Sequence, residues 1–219
     1  MAKTRQQKRQ EARKSGKNGA KKRFSPLTIG IFTAAVLAVI ALLAVFVLKP
    51  SNTNHPKVMI EMENGGKITM ELYPEYAPET VENFVSLVKS GFYDGLTFHR
   101  IVDGFMAQGG DPEGNGQGGS EKTIKGEFSQ NGFSQNTLSH TRGVVSMARS
   151  QDPDSASSQF FICYDDASFL DGQYAAFGKV IDGMDVVDDF CKVERTANEL
   201  GEQATPKTPL VMKKVTVVE

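Results

Sequence analysis

The sequence of 219 residues has no tryptophan, only two cysteines and only three histidines, so it is poor in residues that commonly bind metals. Cys163 and Cys191 are too few for a disulfide framework and lack metal-ligand spacing. Cys163 lies in the apolar run FFIC and is expected to be a small core residue, while the sequence leaves open whether the two cysteines pair. The histidines form no H-x-x-x-H helix pattern, which argues against zinc. We therefore expect no metal and no cofactor.

The usual patterns of nucleophilic and nucleotide-dependent enzymes are missing as well. Serines are numerous, but no G-x-S-x-G elbow is present and no pattern pairs a serine with a histidine. Gly114, Gly116 and Gly119 satisfy G-x-G-x-x-G, yet the residues that follow have no apolar helical period. A dinucleotide site needs a helix there to hold the pyrophosphate. Residues 111–121 are therefore predicted to form a loop.

Positive charge is scarce in most of the chain and concentrated near its N-terminus. The formal net charge is −1, but residues 1–23 hold ten of the 25 Lys and Arg residues and one of the 26 acidic residues. Residues 24–219 therefore carry 15 basic and 25 acidic side chains, a net charge of −10. Because phosphate contacts need clustered cations, this acidic body argues against nucleic-acid binding.

One long hydrophobic run follows the basic segment. Residues 24–48 are 25 residues without a charge, long enough as a helix to cross a hydrocarbon core of about 30 Å. We interpret this run as a retained transmembrane signal anchor. The competing interpretation is a cleaved signal peptide, but the run is long and no A-x-A site follows it. The cations before the run would keep that end in the cytoplasm, so the body is expected outside it.

Four segments follow from this pattern: a basic cytoplasmic tail (1–23), a membrane anchor (24–48), a short polar linker (49–55) and a folded body (56–219). The basic tail could also contact RNA or anionic lipid, although membrane topology alone explains its charge. The expected protein is a single-pass cell-membrane protein of the kind found in bacterial envelopes, with an extracytoplasmic body.

The body alternates short apolar runs with glycine-rich turns. Residues 57–73 alternate apolar and polar side chains on both sides of Asn64-Gly65-Gly66, which predicts a β-hairpin. Val81, Phe84, Val85 and Val88 have helical spacing after Pro78, which predicts an amphipathic helix ending at Gly91. A second helix is predicted over 184–191. Many short strands with two helices indicate an antiparallel β-barrel or sandwich.

The stretch FHRIVDGFMAQGGDP (98–112) combines a cation, apolar side chains and one amide, without a nucleophile. Rotation about a peptidyl-prolyl bond is a reaction that needs neither a nucleophile nor proton transfer. Its barrier of about 18–20 kcal/mol comes from amide resonance. When resonance is lost, the proline nitrogen regains a lone pair, and a fixed donor such as arginine can stabilise that state.

This stretch, followed by GNGQGG, GVVSMA, SSQFFICY and FLDGQYAAFGKVIDGMDVV in that order, closely resembles the cyclophilin family of peptidyl-prolyl cis-trans isomerases. The resemblance covers about residues 56–219. It implies a mainly β fold, an eight-stranded antiparallel β-barrel with two capping α-helices, and a proline pocket on the outer face of the barrel. It also implies that the ligands are proline-containing polypeptides, such as unfolded or exported proteins.

The resemblance also assigns site residues by motif. Arg100 would be the catalytic guanidinium, Gln108 would orient it and bind substrate backbone, and Phe105 would complete the catalytic group. The other residues of the substrate groove would be His99, Met106, Ala148, Arg149, Gln159, Phe161, Phe169, Leu170 and Tyr174. His99 is expected to be a pocket neighbour and not a base.

Three positions depart from the pattern common in eukaryotic members of the family. Phe169 stands in place of tryptophan, Tyr174 in place of histidine and Arg149 in place of asparagine. Because phenylalanine lacks the indole N–H donor, we expect cyclosporin binding to be weakened. Arg149 would add a second cation that favours acidic residues before proline. The alternative to an enzyme is a membrane-anchored module that binds proline peptides as a chaperone, without turnover.

Overall fold

The computed structural model describes residues 55–198 and 201–218. The basic tail, the predicted membrane anchor and nearly all of the linker lie outside these residues. Within the described ranges, no helix combines the length and the apolar character needed to cross a membrane.

The first two strands form the predicted hairpin, β1 (Lys57–Met62) and β2 (Lys67–Leu72). Gly65 has a φ of +86°, and the Asn64 side chain accepts a hydrogen bond from the Gly66 amide at 3.0 Å. Such a turn needs residues that tolerate positive φ. The alternating apolar side chains all point inward and are buried: Val58, Ile60, Met62, Ile68, Met70 and Leu72.

The predicted amphipathic helix is α1 (Pro78–Lys89), which buries Val81, Phe84 and Val88 against the barrel. Its first amides are bound by a distant carboxylate. Glu127 accepts hydrogen bonds from the backbone amides of Glu79 and Thr80, at 3.0 and 2.8 Å. These bonds satisfy N–H groups that the helix itself leaves unpaired, so they fix the start of α1 to the loop that carries Glu127.

Six further strands belong to the same sheet as the hairpin of β1 and β2: β3 (Thr97–Val102), β4 (Met106–Asp111), β5 (Val144–Met147), β6 (Phe160–Cys163), β7 (Ala176–Asp182) and β10 (Leu210–Val218). Among the described residues, these eight strands close into one antiparallel barrel in the order β1-β10-β3-β4-β6-β5-β7-β2. This architecture confirms the predicted barrel.

The second predicted helix is present but shorter than expected. α2 covers Met184–Asp189, and the chain continues as a 3₁₀ turn over Phe190–Lys192. Val186, Val187 and Phe190 are predicted by their spacing to share one face; Val187 and Phe190 are buried, whereas Val186 is half-buried. Between this turn and β10, the chain forms a two-stranded sheet outside the barrel, β8 (Arg195–Ala197) and β9 (Gln203–Pro206). The sequence patterns did not predict this small sheet.

The barrel has apolar clusters on both sides of its wall near β4 and β6. Phe160 and Ile162 point into the barrel core, while Phe161 and Cys163 join a second cluster with Met106. The alternation of side chains along a strand produces this division. The second cluster is covered by a 3₁₀ turn over Ser168–Leu170.

Cys163 and Cys191 are both free thiols, so the structure contains no bridge between them.

Candidate active site

A β-bulge at His99 determines where Arg100 points. Phe98 pairs with Gly109 and Arg100 pairs with Gln108, so His99 is an extra residue on β3. In a regular strand without the bulge, Phe98 and Arg100 would share a face, because residues two apart in a strand do so. Instead Phe98 is in the core and Arg100 is on the outer face beside the second apolar cluster. Bulges commonly re-aim side chains next to active sites.

The strand register then places the predicted residues side by side. Arg100 on β3 lies opposite Gln108 on β4, which in turn lies opposite Phe161 on β6. Directly opposed residues project to the same face at about 5 Å spacing. The barrel wall therefore presents a row of guanidinium, amide and phenyl ring on its outer surface.

Arg100 is held by three side chains. Its Nε and Nη2 each donate to one carboxylate oxygen of Glu202, both at 2.8 Å. Its Nη1 donates to Oε1 of Gln108 at 3.3 Å and lies 3.8 Å from Sδ of Met106. A quarter of the Arg100 side chain remains exposed. The guanidinium is therefore fixed in direction while one of its edges faces the apolar wall.

A chain of amides extends from this guanidinium across the barrel wall. Gln108 donates through Nε2 to Oε1 of Gln159 at 2.8 Å, and Gln159 donates through Nε2 to the carbonyl of Gly118 at 2.8 Å. Each amide thus has a fixed orientation. Gln108 presents its oxygen to Arg100, and its role in orienting that guanidinium stays a prediction.

An open cavity of about 260 Å³ lies directly in front of this row. Six of its nine lining residues have apolar or aromatic side chains, and its polar edge is formed by Arg100, Gln108 and Arg149. A proline ring with its flanking peptide groups needs such a combination of an apolar surface and a few directed donors. The lining residues are Arg100, Phe105, Met106, Gln108, Ala148, Arg149, Phe161, Leu170 and Tyr174.

Two further cavities adjoin the first. One, of about 360 Å³, is lined by His99, Arg100, Gln108, the loop 114–117, Asn198 and Thr205. The other, of about 320 Å³, includes Gln108, Gln159, Ala148 and Arg149 in its lining. Because Gln108 lines all three cavities, they form one continuous groove across the outer face. The predicted residues His99 and Gln159 thus lie in the groove beside the central cavity.

Among the predicted site residues, Phe169 lines none of the three cavities. Its side chain is 65% exposed and does not line the central cavity. Its ring packs on Phe105, with centroids 5.6 Å apart and planes at 34°. Phe169 therefore extends the apolar wall at the rim, where a long ligand could reach it.

Arg149, the second cation of the groove, is held by two aromatic rings and by backbone carbonyls. Its guanidinium lies 4.6 Å from the ring centre of Tyr174 and 5.2 Å from that of Phe128. Its nitrogens donate to the backbone carbonyls of Gln173 and Ser150. Arg149 thus braces the wall that Tyr174 forms, and its preference for acidic residues stays a prediction.

His99 is buried beside Arg100 and is not equipped as a base. Burial lowers the pKa of His99, the Arg100 cation lowers it further, and Asp111 opposes the shift. Neither ring nitrogen has a hydrogen-bond partner among the described residues. His99 is therefore neutral near pH 7, and its role as a neighbour in the groove stays a prediction.

The glycine-rich segment after β4 is a loop, as predicted. The buried carboxylate of Asp111 accepts hydrogen bonds from the amides of Glu113, Asn115 and Gly116, at 2.9, 3.0 and 2.6 Å. Because these amides face a carboxylate of the same chain, they do not form a phosphate cradle.

Within 55–198 and 201–218, no group of three or more His, Cys, Asp or Glu residues could hold a metal ion.

The structure corrects the view that no serine pairs with a histidine. His140 contacts Ser146 Oγ through Nε2 at 3.0 Å and Asp171 through Nδ1 at 2.8 Å. Serine, histidine and aspartate are connected here in the same order as in a Ser-His-Asp catalytic triad. Ser146 is fully buried, however, so its hydroxyl cannot reach a substrate. The ring of His140 stacks on Phe161 with centroids 6.1 Å apart, so this network supports the pocket wall from behind.

Glu202 is a site residue that sequence patterns missed. It lies in the polar segment TANELGEQATP, which has no hydrophobic period, and its partner Arg100 is 102 residues away. No local signal indicates such a contact.

The fold and this groove together define the class of protein. A family model described as "Cyclophilin type peptidyl-prolyl cis-trans isomerase/CLD" matches residues 57–217. The chain belongs to this family, and it is a cyclophilin-type peptidyl-prolyl cis-trans isomerase.

Individual relatives agree with this assignment. The chain is 45% identical over 159 residues to a peptidyl-prolyl cis-trans isomerase of Acinetobacter baylyi, covering 69% of this chain and 81% of that one. It is 48% identical over 124 residues to peptidyl-prolyl cis-trans isomerase B of Bacillus subtilis, covering 57% and 82%. A cyclophilin-type isomerase of Cryptosporidium parvum, with a crystal structure in the presence of the dipeptide Ala-Pro, aligns with a TM-score of 0.65. That structure is 30% identical and covers 74% of this chain and 99% of its own.

Proposed function

We propose that this isomerase assists the folding of exported proteins at the membrane and that Arg100 is its electrostatic catalyst. The observation that carries the catalytic part is the position of Arg100 Nη1, which lies 3.3 Å from Gln108 Oε1 and 3.8 Å from Met106 Sδ at the edge of the central cavity. A proline ring in that cavity would have its nitrogen beside this donor.

The chemistry follows from amide resonance. In the twisted transition state the proline nitrogen carries a lone pair that neither the cis nor the trans ground state offers. A donor that meets this lone pair lowers the barrier selectively, which is the requirement for catalysis. Arginine suits the task since it stays charged and holds its N–H groups in a rigid plane.

The magnitude requires more than one contribution. Bringing a reaction of tens of seconds to milliseconds means a factor of about 10⁴, or roughly 5–6 kcal/mol. A hydrogen bond from a charged donor supplies about 1.5–3 kcal/mol of this. The rest would come from desolvation of the peptide group and from packing around the proline ring by Phe105, Met106 and Phe161. Gln108 would hold the substrate backbone while it keeps Arg100 in place.

The cellular part of the proposal is supported by charge and hydropathy. Residues 24–48 carry no charge and follow ten cations within residues 1–23. This asymmetry favours a cytoplasmic N-terminus and a body outside the cytoplasm. An isomerase tethered there by a short linker would meet proteins as they emerge from the export machinery.

The location can be tested in cells. We expect full-length protein to sediment with membranes and to resist extraction by high salt, while a variant without residues 24–48 becomes soluble. External protease should digest the body in spheroplasts but leave a cytoplasmic control protein intact. Protection of the body under these conditions would reject the proposed topology.

The function can be tested in a strain that lacks this gene and folds a proline-rich exported reporter slowly. The wild-type gene should restore reporter folding and Arg100→Ala should not. Full restoration by Arg100→Ala would instead support the alternative, a module that binds proline peptides without turnover.

A further inference from the structure

The contact between Glu202 and Arg100 joins the small outer sheet to the site. Both carboxylate oxygens of Glu202 are engaged, one by Nε and the other by Nη2 of Arg100, at 2.8 Å each. This is the bidentate arrangement in which arginine gains direction as well as strength. Glu202 immediately precedes β9, which packs beside β3, the strand that carries Arg100.

The contact decides which edge of the guanidinium faces the cavity. A guanidinium has five N–H groups in one plane. Glu202 occupies the edge formed by Nε and Nη2, so the remaining nitrogen, Nη1, is directed at Gln108 and Met106. Both of these residues line the central cavity. Rotation of the guanidinium away from Glu202 would turn a different edge toward the proline nitrogen.

Glu202 is itself held in place by the turn that carries it. Its Oε2 accepts a hydrogen bond from Asn198 Nδ2 at 2.9 Å, and its backbone amide donates to Asn198 Oδ1 at 2.9 Å. The Asn198 amide donates to the Glu202 carbonyl at 2.8 Å. The Arg100 and Asn198 side chains lower the pKa of Glu202 to about 2, so its carboxylate is ionised throughout the neutral range.

We infer that Glu202 is a positioning residue for the isomerase, holding Arg100 so that Nη1 is the donor offered to the substrate proline nitrogen. This inference rests on the proposed catalytic role of Arg100. Glu202 does not line the central cavity, so it acts through Arg100 and not on the substrate. Preorganised donors contribute because they need no rearrangement at the moment of reaction.

The matched experiment compares Glu202→Ala, Glu202→Gln and Glu194→Gln in the full-length protein. Glu194 is the control, since it pairs with Lys207 beside the same small sheet and its side chain is 81% exposed. We expect Glu202→Ala to lower kcat about tenfold, equivalent to roughly 1.4 kcal/mol of barrier, with little change in KM. Glu202→Gln keeps one acceptor oxygen and should recover part of kcat, and Glu194→Gln should match wild type.

A double-mutant cycle separates positioning from a structural role. In an Arg100→Ala background, adding Glu202→Ala should cause no further loss, because the residue it positions is gone. An equal loss in both backgrounds would overturn the inference, as would unchanged or increased kcat in Glu202→Ala. An increase would indicate that Glu202 blocks Arg100.

A spectroscopic measurement gives an independent readout. The ¹⁵N–¹H signal of Arg100 Nε should be protected from solvent exchange in wild type and Glu194→Gln, and should broaden in Glu202→Ala. An unchanged signal would contradict the contact between Glu202 and Arg100.

If Arg100→Ala alone kept full activity, the proposed function would fail. If Arg100→Ala lost activity and Glu202→Ala did not, only the positioning role would fail.

Discussion

Phe98 and Arg100 are two residues apart on one strand, yet Phe98 is buried in the barrel core and Arg100 lies on its outer face. The extra residue His99 reverses the alternation between them. The barrel can therefore place a large aromatic ring inside and a cation outside within three residues. The site depends on this local irregularity as much as on the barrel itself.

Gly109, which pairs with Phe98, makes the bulge possible. A Cβ at this position would come within 2.9 Å of the Thr97 carbonyl and 3.0 Å of the Phe98 ring. We expect Gly109→Ala to destabilise the fold by about 1–3 kcal/mol and to lower kcat/KM, because β4 must shift against the bulge. Urea unfolding and a prolyl isomerisation assay measure the two effects.

Gly65→Ala is the control for that experiment. Gly65 has positive φ but open space around a Cβ, so its substitution should cost about 1–2 kcal/mol in stability. No residue of its turn lines any of the three cavities of the groove, and activity should therefore be retained. Full activity of folded Gly109→Ala would show that the bulge tolerates movement.

Stability should fall as the pH drops below about 6.5, the ordinary pKa of histidine. Burial lowers the pKa of both His140 and His99 in the folded protein. The unfolded chain therefore binds more protons in this range, and the free energy of unfolding decreases toward acid pH. The pKa of Asp171 is also lowered, so its contribution is lost only below its ordinary pKa of about 4.

Urea unfolding at pH 7.5 and pH 5.0 tests this dependence. His140→Gln and His99→Gln should each reduce the difference in unfolding free energy between the two pH values. A difference that is the same in both variants and in wild type would mean that neither histidine is held neutral by the fold.

The rim residue Phe169 should control cyclosporin binding. Phe169→Trp restores an indole N–H donor at an exposed position beside Phe105, so we expect tighter binding than in wild type. Because the ring is largely exposed, the substitution should change stability by less than about 0.5 kcal/mol. Calorimetric titration measures the affinity, with Ile181→Trp as a control that adds an exposed tryptophan outside the groove. Equal affinities in all three proteins would contradict this role.

The two thiols should differ in reactivity. Burial raises the pKa of Cys163 to about 12, whereas Cys191 is only partly buried, with a pKa that is also raised. A thiol reagent at pH 8 should therefore modify Cys191 slowly in the native protein and Cys163 only after unfolding. Detection of two thiols in urea without reductant would agree with the absence of a bridge between Cys163 and Cys191. Detection of none would indicate a bridge.

Local patterns predicted the elements better than their irregularities. The alternation in 57–73 and the helical spacing from Val81 to Val88 identified β1, β2 and α1, because each element buries one face. The closed barrel and the site residues came from resemblance to a family. The bulge at His99 depends on pairing with β4, and Glu202 meets Arg100 only in three dimensions. Neither leaves a periodic signal in the sequence.

The central claim is that Arg100 stabilises the twisted peptide bond. It is tested most directly by measuring kcat/KM and the affinity for a proline peptide in wild type, Arg100→Lys and Arg100→Ala. We expect Arg100→Ala to lose a factor of about 10 to 160 in kcat/KM, which corresponds to roughly 1.5–3 kcal/mol, while peptide affinity changes little. Arg100→Lys should lie between the two. Arg100→Ala with wild-type kcat/KM, or with a loss explained entirely by weaker binding, would contradict the account.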